Sequence, residues 1–341
     1  MNISDSSLLF ATAFYHAEGR SPNAWTFSEQ SKFNMYYRCM VVCYGTLCRL
    51  YPKAQLTLFT NRELPEPFNG QLKSLAVNTV ICASRYVDDT AIKNIFPGCL
   101  YTLDVIEHLA NQQCDFSKLI LLDSDCVVRS RLDDMLDRLE REEEAIYVYE
   151  TDYRKSVSLV ANGQSRASLT LALSYFSGQM IACPITLYGG EFYAFNASLL
   201  PKLAMHIDAF WAWMKTEGIK IFGDTWTEEH VMSAVLAQYG GNVHSASGMV
   251  KRIWTAAVHS TVDGSESGLP VWHLPSEKKK GFVKLYQYWM SHNGFDKLSD
   301  DEFRSLVDKF IPLHVGGRKY PGRSIMLRLR SAARVLVTGW A

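Results

Sequence analysis

The chain has no charge of either sign to spare. Lys plus Arg and Asp plus Glu each number 35, so it lacks the basic field that a nucleic-acid partner requires. Nor is there an uninterrupted apolar run near the roughly twenty residues that a membrane-spanning helix needs. The opening stretch MNISDSSLLFATAFYHAEG lacks a basic n-region and does not read as a secretory signal. The eight cysteines (Cys39, Cys43, Cys48, Cys82, Cys99, Cys114, Cys126 and Cys183) show no CxxC pairing. That absence argues against a zinc site and for reduced, buried thiols rather than a disulfide framework. Internal repeats and low-complexity tracts are missing as well. Together these absences predict a cytoplasmic protein, soluble or peripheral on the inner face of the cell membrane, that binds no nucleic acid.

What is there is an ordinary globular composition over 341 residues, 48% hydrophobic and 21% charged. It suits one large catalytic domain or two closely fused halves. An apolar run over residues 8–15 reads as a buried first strand leading into a loop. Helical spacing over 32–50 stops at Tyr51-Pro52, and QLTLFT (55–60) reads as a second strand. This β-α-β opening predicts an α/β fold with a mostly parallel central sheet flanked by helices. Further along, strands are expected near 79–82 and 145–149, and helices over 101–111, 131–144, 199–216 and 227–239. Residues 152–180 read as a loop, and 185–196 as two short strands broken by Gly189-Gly190.

The clearest signal is KLILL (118–122), the kind of continuous apolar run shown by a strand buried on both faces, running straight into Asp123-Ser124-Asp125. The acids therefore sit at a strand's carboxyl end, where open α/β sheets bind ligands. Two carboxylates one residue apart at such a place can hold a hard divalent cation, with the oxygens of a diphosphate completing its shell. Glu191, Glu228 and Glu229 are the candidate catalytic acids. Carboxylates of this kind can stabilise a developing positive charge or accept a proton from a bound hydroxyl. The two glycines ahead of Glu191 would let a ligand approach the backbone.

The DxD segment LILLDSDCVV, with Leu58-Phe59-Thr60-Asn61 and the first-strand residues Ala11, Thr12, Phe14 and Tyr15, resembles the GT-A glycosyltransferases. The similarity is nearest to the family of glycogenin and the bacterial lipooligosaccharide galactosyltransferases. The resemblance implies a Rossmann-like GT-A domain in which Asp123 and Asp125 hold Mn2+ or Mg2+, with Ser124 between them at the donor. It implies that Ala11, Thr12 and Phe14 or Tyr15 grip the nucleoside and cover its base. It further implies that His273 is a third metal ligand and that Lys279 meets the phosphates, with Lys278 and Lys280 as near equals. Ser276 stands where that family has a Gly, and Ala13 where it has an acid.

The implied donor is a nucleotide sugar, UDP-linked by expectation, and the acceptor a glycan or lipid-linked glycan of bacterial surface polysaccharide or lipooligosaccharide. Alternative readings are a protein-modifying glycosyltransferase, a sugar nucleotidyltransferase and a noncatalytic sugar- or lipid-binding protein. The expected organisation is a nucleotide-sugar-binding half over 1–150, an acceptor half of the same domain over 151–285, and a helical extension over 286–341. From Arg318 to Ala341 the chain mixes basic and apolar residues without an acid. That pattern predicts an amphipathic helix suited to an anionic membrane surface. The sequence leaves the oligomeric state open.

Overall fold

A computed structural model of the chain describes residues 5–17, 28–93, 96, 98–151, 156–239, 241–256 and 260–315. The predicted amphipathic tail falls outside them. Strand β1 (Leu8–Phe14) is followed by helix α1 (Glu29–Leu50), β2 (Gln55–Thr60), α2 (Phe68–Ser74) and β3 (Val77–Ile81). Next come α3 (Tyr101–Ala110), β4 (Lys118–Leu122), β5 (Cys126–Val128), α4 (Asp133–Arg141) and β6 (Ile146–Glu150). The later elements are α5 (Arg166–Ser177), β7 (Tyr188–Asn196), α6 (Leu200–Trp213), α7 (Ile219–Phe222), α8 (Glu228–Tyr239), β8 (Val243–Ser245), β9 (Val250–Arg252), β10 (Val271–His273), α9 (Gly281–His292) and α10 (Asp300–Phe310).

The main sheet runs β3-β2-β1-β4-β7-β6-β8. Strands β3, β2, β1 and β4 are parallel, while β7 lies antiparallel between β4 and β6. Strands on both sides of residue 150 therefore share one sheet. All five residues of β4 are buried, as a strand covered on both faces should be. Each Leu or Ile side chain so buried contributes about 1.5–3 kcal/mol. Two apolar layers sandwich the sheet. One packs α1 and α9 against residues such as Phe10, Ile120 and Phe192; the other packs α3, α6 and α8 against Leu9, Leu121 and Tyr193. A second sheet, β5-β10-β9, continues from the end of β4.

Two expectations are corrected. Residues 185–196 hold not two short strands but one, β7, which runs through Gly189-Gly190. The glycines sit there because of what their neighbours occupy. A Cβ on Gly189 would lie 2.2 Å from Glu191 Oε2, and one on Gly190 would lie 2.3 Å from Glu228 Oε1. The stretch 152–180 contains helix α5, whose Ser165 and Ser168 form a reciprocal capping box, satisfying amides that the first turn leaves open. All eight cysteines are free. Among the described residues no helix is long and apolar enough to cross a membrane.

Candidate functional site

The chain reverses direction in the sheet order between β1 and β4, and beside their carboxyl ends lies a cavity of about 360 Å³. Its lining includes Phe14, Tyr15, Asp123, Ser124, Asp125, Glu228, Glu229, Arg252, His273 and Lys278. The turn after β4 is closed by Cys126 N–H donating to the Asp123 carbonyl at 3.2 Å. The chain then enters β5, which pairs antiparallel with β10 so that His273 stands opposite Cys126. That register sets His273 Nε2 at 3.3 Å from Asp123 Oδ2 and 3.3 Å from Asp125 Oδ2. One donor atom from each of the three residues lies within 4.8 Å of the others. Two carboxylate oxygens and an imidazole nitrogen at that spacing could hold a divalent metal ion.

The electrostatics follow from burial and pairing. Burial alone would depress the His273 imidazole, but Asp125 and Glu191 hold it up to about 9, so in the apo chain it bridges the acids as a cation. Burial alone would raise Asp125, yet Lys278 and His273 hold it well below the usual carboxylate range. Asp123 is pushed upward by burial, against the pull of His273. Its side chain is nonetheless 47% exposed to the cavity, and water there argues for a smaller elevation than burial alone would give.

Behind the acids lies a buried network that sequence reasoning placed differently. Glu191 is fully buried; it accepts Arg252 Nε at 2.7 Å and sits 3.4 Å from His273 Nδ1. It fixes the imidazole from behind rather than facing the cavity. Arg252 Nη2 also donates to Glu229 Oε1 at 2.6 Å. Arg252 therefore links the residue that orients His273 to the first turn of α8. Nothing in the sequence marks this arginine, because its meaning depends on β9 pairing with β10.

Glu228 differs from its neighbours. It lines the cavity and its Oε2 has no hydrogen-bond partner. Burial, and then the charge of Glu229, push its carboxyl up to about 8. Such a group can carry a proton near neutral pH.

Of the lysine run, it is Lys278 and not Lys279 that reaches the acids, through a hydrogen-bonded ion pair to Asp125. The turn before α9 decides this. Glu277 accepts Thr255 Oγ1 and the Gly281 N–H, which aims Lys278 inward and leaves Lys279 exposed. Ala11 and Thr12 do not line the cavity. Ala11 is buried in the core, and the Thr12 hydroxyl shares a 2.7 Å hydrogen bond with that of Tyr44. Phe14 and Tyr15 do line it. Phe14 packs against Phe33, Tyr36 and Tyr37, while Tyr15 donates to Asp88 Oδ1 at 3.0 Å. Asn61 ties the two strand ends together by accepting the His16 N–H at 2.8 Å.

No protein-family model and no curated protein sequence matches the chain. Solved structures do. The apo structure of WbbM, a bifunctional glycosyltransferase, superposes with a TM-score of 0.51 at 10% identity. The chain has the GT-A fold. The match covers 80% of this chain and 46% of WbbM, so the chain spans less than half of that protein. Mouse xyloside xylosyltransferase 1, also in its apo form, matches at a TM-score of 0.45 and 11% identity, over 78% of this chain and 96% of that one. Within the GT-A fold as this chain builds it, Asp123-Ser124-Asp125 and His273 form the DxD cluster beside the cavity.

Proposed function

We propose that this chain is a metal-dependent glycosyltransferase, moving a sugar from a nucleotide-diphosphate donor to a hydroxyl of a glycan or lipid-linked glycan. The observation that carries this reading is the DxD-plus-histidine cluster at the carboxyl end of β4, facing a cavity large enough for a ligand. Mn2+ or Mg2+ bound by Asp123, Asp125 and His273 would neutralise the charge that develops on a departing nucleoside diphosphate. Lys278 adds a fixed ammonium group beside Asp125, aimed at the same charge. Phe14 and Tyr15, which also line the cavity, offer aromatic surface for the base. Glu228 is the acid best suited to exchange a proton with an acceptor hydroxyl, since among the described residues it lines the cavity without an ion pair. Glu191, buried behind the cavity, holds His273 in place, and Arg252 holds Glu191 and Glu229. A UDP-linked donor and a role in bacterial surface-glycan synthesis belong to the same proposal.

The test is to offer UDP-, GDP-, CDP- and TDP-sugars, with and without Mn2+, to the chain together with glycan, lipid-linked glycan and protein acceptors, and to read products by mass. Metal-dependent transfer from one donor family supports the proposal and names the acceptor class. If no sugar moves and no nucleotide binds, the noncatalytic reading replaces it.

A further inference from the structure

Four of the aromatic side chains that line the cavity are engaged with other rings. Phe14 packs against Phe33 and Tyr36, and Tyr15 packs against Tyr101 at 5.4 Å. Tyr36 also holds the Lys278 ammonium over its ring at 5.2 Å. Trp254 differs from them. It lines the same cavity and is half-buried. Among the described residues no ring stacks against it and no acceptor takes its indole N–H. The indoles of Trp211, Trp226 and Trp272 all donate, to Asp89, to the Gly223 carbonyl and to the Glu266 carbonyl, as indoles away from water usually do.

The backbone fixes where this ring stands. Thr261 clamps Trp254 twice: its Oγ1 accepts the Trp254 N–H at 2.9 Å, and its own N–H donates to the Trp254 carbonyl at 3.1 Å. On one side Ile253 is buried in the core and donates its N–H to the His273 carbonyl at 2.8 Å. On the other, the Thr255 hydroxyl donates to Glu277. In the parallel pairing of β9 with β10, Arg252 stands opposite His273. Two residues further along each chain come Trp254 and Pro275, and both line the cavity. They make an apolar shelf that follows the histidine of the metal cluster. A rigid, amphipathic ring held in this way loses little freedom on meeting a ligand.

Strand order separates this shelf from the nucleoside. Phe14 ends β1, the two acids follow β4 beside it, and the chain then enters the second sheet, β5-β10-β9. The metal ligands therefore come between β1 and β9. A nucleoside diphosphate whose base meets Phe14 and whose phosphates meet the cluster directs its sugar, and the acceptor that takes it, toward β9. One face of a pyranose ring carries C–H groups that suit the negative face of an indole, and its rim carries hydroxyls for the N–H. A hydrocarbon chain would use the face and leave the N–H unpaired. We propose that Trp254 is the acceptor platform, stacking on a pyranose of a glycan acceptor and giving its indole N–H to a ring hydroxyl. This role rests on the transferase reading and adds to it the residue that receives the acceptor.

The experiment is saturation-transfer NMR with the methyl glycosides of glucose, galactose, mannose and N-acetylglucosamine as probes, each with and without UDP and Mg2+. It compares wild type, Trp254→Phe and Trp254→Ala, with UDP affinity and melting temperature measured in all three. The expected result is that at least one glycoside binds the wild type, with saturation on the protons of one pyranose face. Trp254→Phe should bind it more weakly, and Trp254→Ala about tenfold more weakly or not at all. UDP affinity should be the same in the three proteins. Should Trp254→Ala fail to fold, the comparison with Trp254→Phe carries the same decision. Glycoside binding that depends on Trp254 in a protein that binds no UDP would sink the transferase reading and leave a sugar platform standing. Loss of UDP binding in the variants would assign Trp254 to the nucleotide and overturn the inference. So would variants that bind glycosides as the wild type does, or a wild type that binds none of them with or without UDP and Mg2+.

Discussion

Replacing Arg252 by Met tests the buried network most sharply. Arg252 is 9% exposed, Glu229 6% and Glu191 fully buried. The guanidinium is the cation that both carboxylates share. A methionine of similar length keeps the packing but removes the cation that the two buried carboxylates share, while Glu191 keeps His273 at 3.4 Å. Breaking a buried pair from one side costs about 3–5 kcal/mol, because the surviving charge stays desolvated. At about 2 °C per kcal/mol for a chain of this size, the melting temperature should fall by roughly 6–10 °C.

The pH dependence gives the prediction a sign. In the wild type, burial would raise Glu191 but Arg252 holds it below its ordinary value. Its contribution is therefore present above the usual carboxylate range and lost as pH falls through the lowered value. In Arg252→Met burial acts unopposed by that cation, so Glu191 should favour its protonated form and the variant should suffer most at high pH. Scanning calorimetry at about pH 5 and about pH 8 should show a deficit that shrinks on acidification. Arg252→Lys, which keeps the charge but not the fork, should fall between the two. A variant melting within about 2 °C of wild type, or a deficit that grows in acid, would refute the reasoning.

Three other outcomes are expected. Because the apo His273 holds its proton up to about 9, Mn2+ must displace it. Its affinity should rise with pH toward that value, with about one proton released per ion, read by titration calorimetry in two buffers of different ionisation enthalpy. Glu228→Gln should lower turnover by about 10²–10⁴-fold while leaving Mn2+ affinity unchanged. A carboxyl raised to about 8 stabilises the fold fully below the unfolded carboxylate range and progressively less up to that value. The Gln variant should therefore melt higher than wild type at pH 8 and no higher at pH 4. Gly190→Ala places a methyl 2.3 Å from Glu228 Oε1, so it should cut turnover by moving that acid, at a stability cost of no more than about 1–3 kcal/mol.

Some of this site could be read without the fold. KLILL followed by Asp-Ser-Asp announces a buried strand and two acids at its ligand-binding end through composition alone, and the structure puts them there. His273 sits some 150 positions away in the sequence, and only the family resemblance singles it out. What joins it to the acids is the β5 to β10 register, which no local pattern shows. Lys278 and Lys279 cannot be told apart in a run of three; the hydrogen bonds of Glu277 choose between them. The Gly189-Gly190 pair reads as a break because glycine weakens strands, yet here it makes room for Glu191 and Glu228 within a continuous one. Helix α5 left a faint mark, the Ser165 and Ser168 cap, and its Ser- and Thr-rich sequence hid the rest.

The central claim is that the Asp123, Asp125 and His273 cluster binds a nucleoside diphosphate through a divalent cation. Asp125 is a poor residue for testing it, since its loss would strand the buried Lys278. Asp123, whose side chain opens to the cavity, can be changed at little structural cost. Titration calorimetry of UDP into wild type and Asp123→Ala, with and without Mn2+, is the most direct measurement. Mn2+ should tighten UDP binding by about tenfold or more, about 1.4 kcal/mol, in the wild type alone. Equal affinity with and without the metal, or metal-dependent binding that survives in the variant, would contradict it.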